Sequence, residues 1–510
     1  MRRRAEDGRG AQRDVEAEVE QIGDPEAAPS LPSAALAAHA AAGVRGRAAP
    51  SARGVGAGRD IWRLSWPVML SQVLVTVVGL VDIAMVGRIG PKAQAAVGYA
   101  SQFFNLAQSA LFAIGFACVA LMARAIGARD PERARRALAG SLVLALAVAF
   151  GFAGAILAAP RTVLGWMSAA PDVIDLAVPY LRLVMLGSLL LAVALTLESG
   201  LRANRDTRTP MLVVFVVTAV KIGLNALLIF GTFGFPRLEL VGAGIATVAS
   251  QAVGVALFCG IVLRQPRGSP LALRRGDLAG ARALVPELVR ISIPGVAERL
   301  VMNLALLSYF GVLGQFGTIA VAAYTVGVRI LAFSWIPGTA YAQAVATLVG
   351  QALGAGDRAR ATRAGWRAAA LALQTSVVLG LACALAREPL ARLFTDDADT
   401  IATLGPFMLC LAIAQPFLQL HFTLGGAHRG AGDTWTPLVA AFVGNWVFRV
   451  PLSIFAAQLA SAGLVAVWAV LILDHVARAA WLLVSFRRGR WQDAGARRGA
   501  RRHAARAGAG

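Results

Sequence analysis

A chain of 510 residues that is 57% hydrophobic and 15% charged, with a mean hydropathy of +0.64, falls outside the water-soluble class, in which about a quarter of residues are charged. Its net charge of +21 sits in tails and alternate loops, not along one helix face or an aromatic-studded sheet, which argues against nucleic acid as a partner. The four cysteines (Cys118, Cys259, Cys383, Cys410) lie inside apolar runs without metal-ligand spacing. They read as small buried residues, and no metal or cofactor is expected. Lysine occurs only at Lys92 and Lys221.

Residues 1–58 are rich in Ala, Arg, Glu, Gly and Pro, lack a sustained apolar run, and read as a disordered cytoplasmic tail. Beyond them the chain carries apolar spans of bilayer-crossing length. Helices are predicted over roughly 62–87, 99–125, 135–159, 174–202, 210–231 and 241–264, forming an N-terminal lobe of residues 59–265. After a cytoplasmic linker, 266–288, helices over roughly 289–314, 320–350, 362–386, 402–429, 437–458 and 463–486 form a C-terminal lobe, 289–488, before a basic cytoplasmic tail, 489–510. The spans are continuously apolar and do not alternate, so helices and not barrel strands cross the bilayer. The expected fold is all-α integral membrane, with twelve helices in two six-helix bundles. Arginines crowd the loop after the second helix (Arg124, Arg129, Arg133, Arg135, Arg136), after the fourth (Arg202, Arg205, Arg208) and after the sixth (Arg264, Arg267, Arg274, Arg275, Arg282). The loop after the ninth is acidic (Asp396, Asp397, Asp399). Positive loops stay inside, so both termini are expected in the cytoplasm of an inner-membrane protein.

The two halves repeat. Ser65 and Pro67 recur as Ser292 and Pro294, an offset of 227 (292 minus 65) that holds without a gap from about residue 64 to 260. Gly127-Ala128-Arg129-Asp130 recurs as Gly354-Ala355-Gly356-Asp357, and Asp206 to Pro210 as Asp433 to Pro437. Such internal repeats build many secondary transporters, with the substrate path at the repeat interface.

The ordered set of local motifs resembles the multidrug and toxic compound extrusion (MATE) family over about residues 60 to 492. It comprises Leu64-Ser65-Trp66-Pro67, Gly79-Leu80-Val81-Asp82, Gly87-Arg88-Ile89-Gly90, the Gly127–Asp130 turn, Arg202 through Pro210, Gly425 through Pro437, and Asp474 through Trp491. The resemblance implies a twelve-helix exporter, driven by an inward H⁺ or Na⁺ gradient, that expels organic cations and amphiphilic drugs. A monomer in the lipid bilayer is expected, and an enzyme is not, since no nucleophile elbow, metal set or nucleotide loop is present. A lipid-linked precursor flippase of the same superfamily is the alternative.

Ionisable groups inside spans are costly and mark candidate sites. Asp82, Glu198 and Lys221 are such groups, with Asn225 one turn from Lys221 and Thr247 near the start of the sixth helix. The resemblance implies that the positions of Asp82, Glu198, Lys221 and Asn225 form the cation site of the N-terminal lobe. Their repeat mates are Tyr309, Gly425, Phe448 and Leu452, so building a bundle does not demand the cluster. Lys221 stands where the family usually has asparagine. Its ammonium would compete with Na⁺, so H⁺ is the expected coupling ion, with Lys221 paired to Asp82, to Glu198 or to both. A static ion pair between helices is the other reading, and Glu198 can instead pair with Arg202 one turn on. In the second half, Glu298 either lines the path or faces an arginine, and His421 is either packed or a proton relay. Arg329 is expected to pair with Asp474, unless Asp474 pairs locally with Arg478. Gln102, Asn105, Tyr324, Gln343 and Gln419 complete the candidate substrate path.

Overall fold

The computed structural model describes residues 56–458 and 463–494. The tail assigned to residues 1–58 lies, up to residue 55, outside the described residues, as do residues 495–510 of the C-terminal one. Among the described residues, twelve helices are long and apolar enough to cross a bilayer. They are α1 Gly56–Gly87, α2 Pro91–Gly127, α3 Pro131–Ala158, α4 Pro171–Ala203, α5 Arg208–Phe230, α6 Glu239–Leu263, α7 Val285–Gly314, α8 Thr318–Gly354, α9 Arg358–Leu385, α10 Ala398–Gly430, α11 Trp435–Gln458 and α12 Gly463–Arg488.

Most helices begin several residues before the apolar runs that predict them. Prolines at the first helical position explain α2, α3 and α4, since a proline there loses no helical hydrogen bond. Hydropathy reports the bilayer core, whereas caps set the helix start. The caps themselves repeat. The Asp130 carboxylate accepts the Arg133 N–H at 2.8 Å, and its mate Asp357 accepts that of Arg360 at 2.7 Å. Asp206 accepts the Thr209 hydroxyl at 2.6 Å, and Asp433 that of Thr436 at 2.7 Å. Arg129 (φ 59°) and Gly356 (φ 77°) occupy the same left-handed turn position in the two halves.

The repeat breaks in α11, where Val443–Arg449 form a π-helical stretch that has no counterpart in α5. A π-turn, with its i→i+5 hydrogen bonds, widens the helix and rotates the residues beyond it onto another face. The linker, 266–288, contains a helix, Arg275–Ala281, and is docked: Asp277 accepts the Arg274 N–H at 2.8 Å and pairs with Arg135 of α3 at 3.2 Å. The start of the C-terminal tail is docked too. Trp491 is buried, stacked on Phe486 at 4.8 Å, and Asp493 pairs with Arg358 at 2.6 Å.

The two lobes meet where α2 and α8 cross, at the arginine-rich end. A Cβ on Gly127 would stand 2.0 Å from the Gln351 carbonyl oxygen, and one on Gly354 would stand 2.0 Å from that of Arg124. Gln351 and Arg124 are themselves repeat mates, so the crossing has pseudo-two-fold symmetry. Around it, Arg205 donates to the Gln351 side chain at 2.5 Å, Gln351 donates to the Ala203 carbonyl at 2.8 Å, and the Thr347 hydroxyl donates to the Arg202 carbonyl at 3.1 Å. Helical spacing carries the α8-facing stripe of α2 from Gly127 and Ala123 up to Asn105 and Gln102. The matching stripe of α8 runs from Gly354 and Gly350 up to Arg329 and Thr325. Gln102, Asn105, Thr325 and Arg329 are all exposed. The helices that touch at one end therefore leave a cleft open toward the other.

Candidate functional site

Asp82 lies five residues before the C-terminal end of α1, and α5 brings Lys221 and Asn225 to it. The Lys221 ammonium pairs with one carboxylate oxygen, and the Asn225 amide donates to the other at 2.6 Å. Lys221 and Asn225 can both reach because they lie on one face of α5. Asn225 is buried and its side-chain oxygen has no hydrogen-bond partner. The ion pair keeps contact with solvent, its side chains being 22% and 26% exposed. Tyr180 of α4, packed over Gly244, lies within electrostatic reach of Asp82. Nothing in the sequence distinguished that tyrosine.

Glu198 does not join this group. It pairs with Arg202 on its own helix. Depth is the reason: Glu198 lies five residues from the arginine-rich end of α4, whereas Lys221 lies thirteen residues into α5 from the same side. At 1.5 Å per residue that separates them by about 12 Å along the membrane normal. Thr247 makes no hydrogen bond to this group; its hydroxyl donates to the Ala243 carbonyl of its own helix at 2.9 Å.

The second lobe carries a buried charge cluster, contrary to the expectation from repeat mates. Asp474 pairs with Arg478 at 2.5 Å and with Arg449 at 3.8 Å. Arg478 donates to Asn445 at 2.8 Å, Arg449 donates to the Tyr324 hydroxyl at 2.8 Å, and Arg449 lies 4.5 Å from the Tyr309 ring centroid. Tyr309 is the mate of Asp82 and Asp474 the mate of Thr247. The cluster thus sits at the equivalent place, with its carboxylate moved from the first helix of the lobe to the last. Arg449 is one residue beyond Phe448, the mate of Lys221, and the π-helical stretch places that arginine in the interior. Strict register missed it for that reason. Unlike the Asp82 pair, this cluster is closed: Asp474 and Arg478 side chains are 0% and 4% exposed.

The candidate path residues separate. Gln102 and Asn105 line the cleft. Tyr324, expected there, is buried in the C-terminal lobe on Arg449. Gln419 is also buried, donating to the Ser334 carbonyl at 2.7 Å. His421 stacks on His475 at 5.3 Å, with its Nδ1 3.1 Å from the Phe417 carbonyl, in a packed interior. Gln343 lines a small cavity with Phe112, Ser199 and Arg202, and its side-chain oxygen has no partner. Glu298 pairs with Arg429 of α10, and both line a cavity of about 90 Å³ with Arg299, Phe112, Phe116, Trp335 and Phe422 at the base of the cleft. Arg329 does not pair with Asp474, whose oxygens are taken by Arg478 and Arg449.

The MatE family model matches residues 67–227 and 294–455, one stretch in each half. A probable multidrug resistance protein NorM of Thermotoga maritima is 28% identical over 442 residues, covering 85% of this chain and 93% of that protein. A protein of the same description from Rhodopseudomonas palustris is 30% identical over 457 residues, covering 84% and 91%. A crystal structure of MATE in complex with MaD3S superposes with a TM-score of 0.80 over 86% of this chain and 97% of that one, at 24% identity.

Proposed function

We propose, from the premise that this chain belongs to the MatE family of membrane transporters, that it exports amphiphilic drug-like compounds across the inner membrane in exchange for protons. The two six-helix lobes alternate in their access to the two sides. Its arginine-rich loops face the cytoplasm, in keeping with the charge asymmetry of the loops. The observation that carries proton coupling is the Lys221 ammonium seated on Asp82. A Na⁺ site wants oxygen ligands and no resident cation, and here an ammonium holds that place. Protonation of Asp82 removes the ion pair that fastens α1 to α5. Few buried side chains line the outer half of α1, so that helix is the element such a release would move. Export results if α1 and the α2–α8 crossing change together.

The test is reconstitution in proteoliposomes, with efflux of ethidium and of fluorescein monitored under an imposed pH gradient and then under an imposed Na⁺ gradient. Efflux driven by pH and abolished in Asp82→Asn, at unchanged protein yield, is expected. Efflux that responds to Na⁺ alone would refute the role given to Lys221. A chain that moves neither probe, yet carries lipid-linked sugars, would be the flippase alternative.

A further inference from the structure

The carboxylates of the span interiors each hold a cation already: Asp82 holds Lys221, Glu198 holds Arg202, Glu298 holds Arg429, and Asp474 holds Arg478 and Arg449. Arg329 of α8 is left over, as is Arg182 of α4, and Arg329 is the one that lies on a helix of the α2–α8 crossing. It lies well inside α8, is exposed, and among the described residues makes no ion pair or hydrogen bond. An uncompensated guanidinium at such a depth is costly and is retained for a partner. The fold does not need it, because its repeat mate on the opposite wall is the neutral Gln102. By helical spacing it lies on the stripe of α8 that touches the other lobe lower down at Gly350 and Gly354. Neither α2 nor α8, the two helices that form these walls, contains an aspartate or glutamate. At the base of the same cleft stands a second exposed arginine, Arg299, whose guanidinium carbon is 6.0 Å from the Phe112 ring centroid. The one carboxylate beside it, Glu298, is engaged by Arg429. Around it Phe112, Phe116, Trp335 and Phe422 supply apolar and aromatic surface.

A cleft built to hold organic cations would present carboxylates. This one presents guanidinium groups, whose planar donors match the oxygens of a carboxylate or phosphate. We propose that the substrates are amphiphiles carrying a carboxylate or phosphate group. Arg329 engages the anionic group on the upper wall, Arg299 receives it at the base, and the aromatic side chains take up the apolar body. This substrate class rests on the exporter reading of the cleft given above.

The experiment is equilibrium binding of fluorescein, an aromatic dianion at neutral pH, to the full chain in lipid nanodiscs, read by fluorescence anisotropy against empty discs. Wild type is expected to bind it, with displacement by 1-naphthyl phosphate and not by 1-naphthol. Arg329→Gln is expected to weaken binding about tenfold or more, the scale of a lost charge-assisted hydrogen bond. Arg329→Lys, which keeps the charge, is expected to lose less, and Arg363→Gln, at the exposed end of α9, to lose nothing. Arg329 supports no neighbour, so the thermal transition of Arg329→Gln stays at the wild-type value. Fluorescein that fails to bind, or binds equally well in Arg329→Gln and Arg299→Gln, overturns the proposal. The two readings fail separately. Arginine-dependent binding without gradient-driven efflux keeps the anion site and removes the exporter. Ethidium efflux without fluorescein binding does the reverse.

Discussion

Asp82 and Asp474 are both carboxylates held by cations inside a lobe, and their surroundings assign them different work. Asp474 faces two arginines with its side chain fully enclosed, so removing its charge leaves two buried guanidinium groups uncompensated. Asp474→Asn is expected to cost about 3–5 kcal/mol, the range for breaking a buried pair from one side. Thermal unfolding in detergent would show a large fall in the transition temperature. Asp82 keeps solvent contact and leaves one partly exposed ammonium when neutralised, so Asp82→Asn is expected to cost about 1 kcal/mol while losing coupling. Equal destabilisation by the two substitutions would contradict the division. The Asp82–Lys221–Asn225 group was legible because an ionisable pair in apolar spans has few places to go. Glu198 was misplaced because sequence lists charges without depth, and only helix direction shows that it lies near the arginine-rich end. Its absent mate, Gly425, has a structural explanation. A Cβ at Gly425 would lie 3.3 Å from the Arg429 guanidinium, which reaches across to Glu298, whereas the mate Arg202 finds Glu198 on its own helix.

At the scale of elements, the offset of 227 predicted which helices pair and which turns recur, because caps and turns are set by a few adjacent residues. It did not predict the π-helical stretch in α11, since Val443–Arg449 differ from α5 by rotation and not by any gap in alignment. That rotation put Arg449, and with it Tyr324, inside the C-terminal lobe. In the proposed alternation, the α2–α8 crossing is the element that would act as the hinge. Gly127 and Gly354 each meet a backbone carbonyl of the partner helix, which cannot rotate aside as a side chain can. Alanine at either position forces the helices apart, at a cost of about 1–3 kcal/mol to the closed arrangement. Gly127→Ala and Gly354→Ala are therefore expected to shift the population toward opening at the arginine-rich end, and by similar amounts because the two sites are symmetry mates. Distances between spin labels on Arg133→Cys and Arg360→Cys in a cysteine-free chain would report the shift. Gly87→Ala, where nothing lies within 4 Å, is the reference. An effect at one crossing glycine and none at the other would rule out the symmetric crossing as the hinge of closure.

For the whole molecule, closure at one end and exposure at the other define a state, and the state carries a prediction about sidedness. Asn105 lies on the open stretch of the α2 stripe, whereas Gln343 lies in a small cavity beneath it, near Arg202. The loop arginine Arg133 belongs to the end assigned to the cytoplasm. In a cysteine-free chain carrying Asn105→Cys, Gln343→Cys or Arg133→Cys, an impermeant maleimide added to intact cells is expected to label Asn105→Cys alone. Arg133→Cys should become reactive only after permeabilisation. Labelling of Arg133→Cys in intact cells would invert the orientation and, with it, the direction of transport. Labelling of Gln343→Cys and not Asn105→Cys would mean that the cleft opens at the arginine-rich end in the resting membrane. If the proton carried by Asp82 drives alternation, acidifying the outside should lower the rate at Asn105→Cys and leave it unchanged in the Asp82→Asn background. Loss of the pH response in that background, with the basal labelling intact, would tie the ion pair between α1 and α5 to the movement of whole lobes.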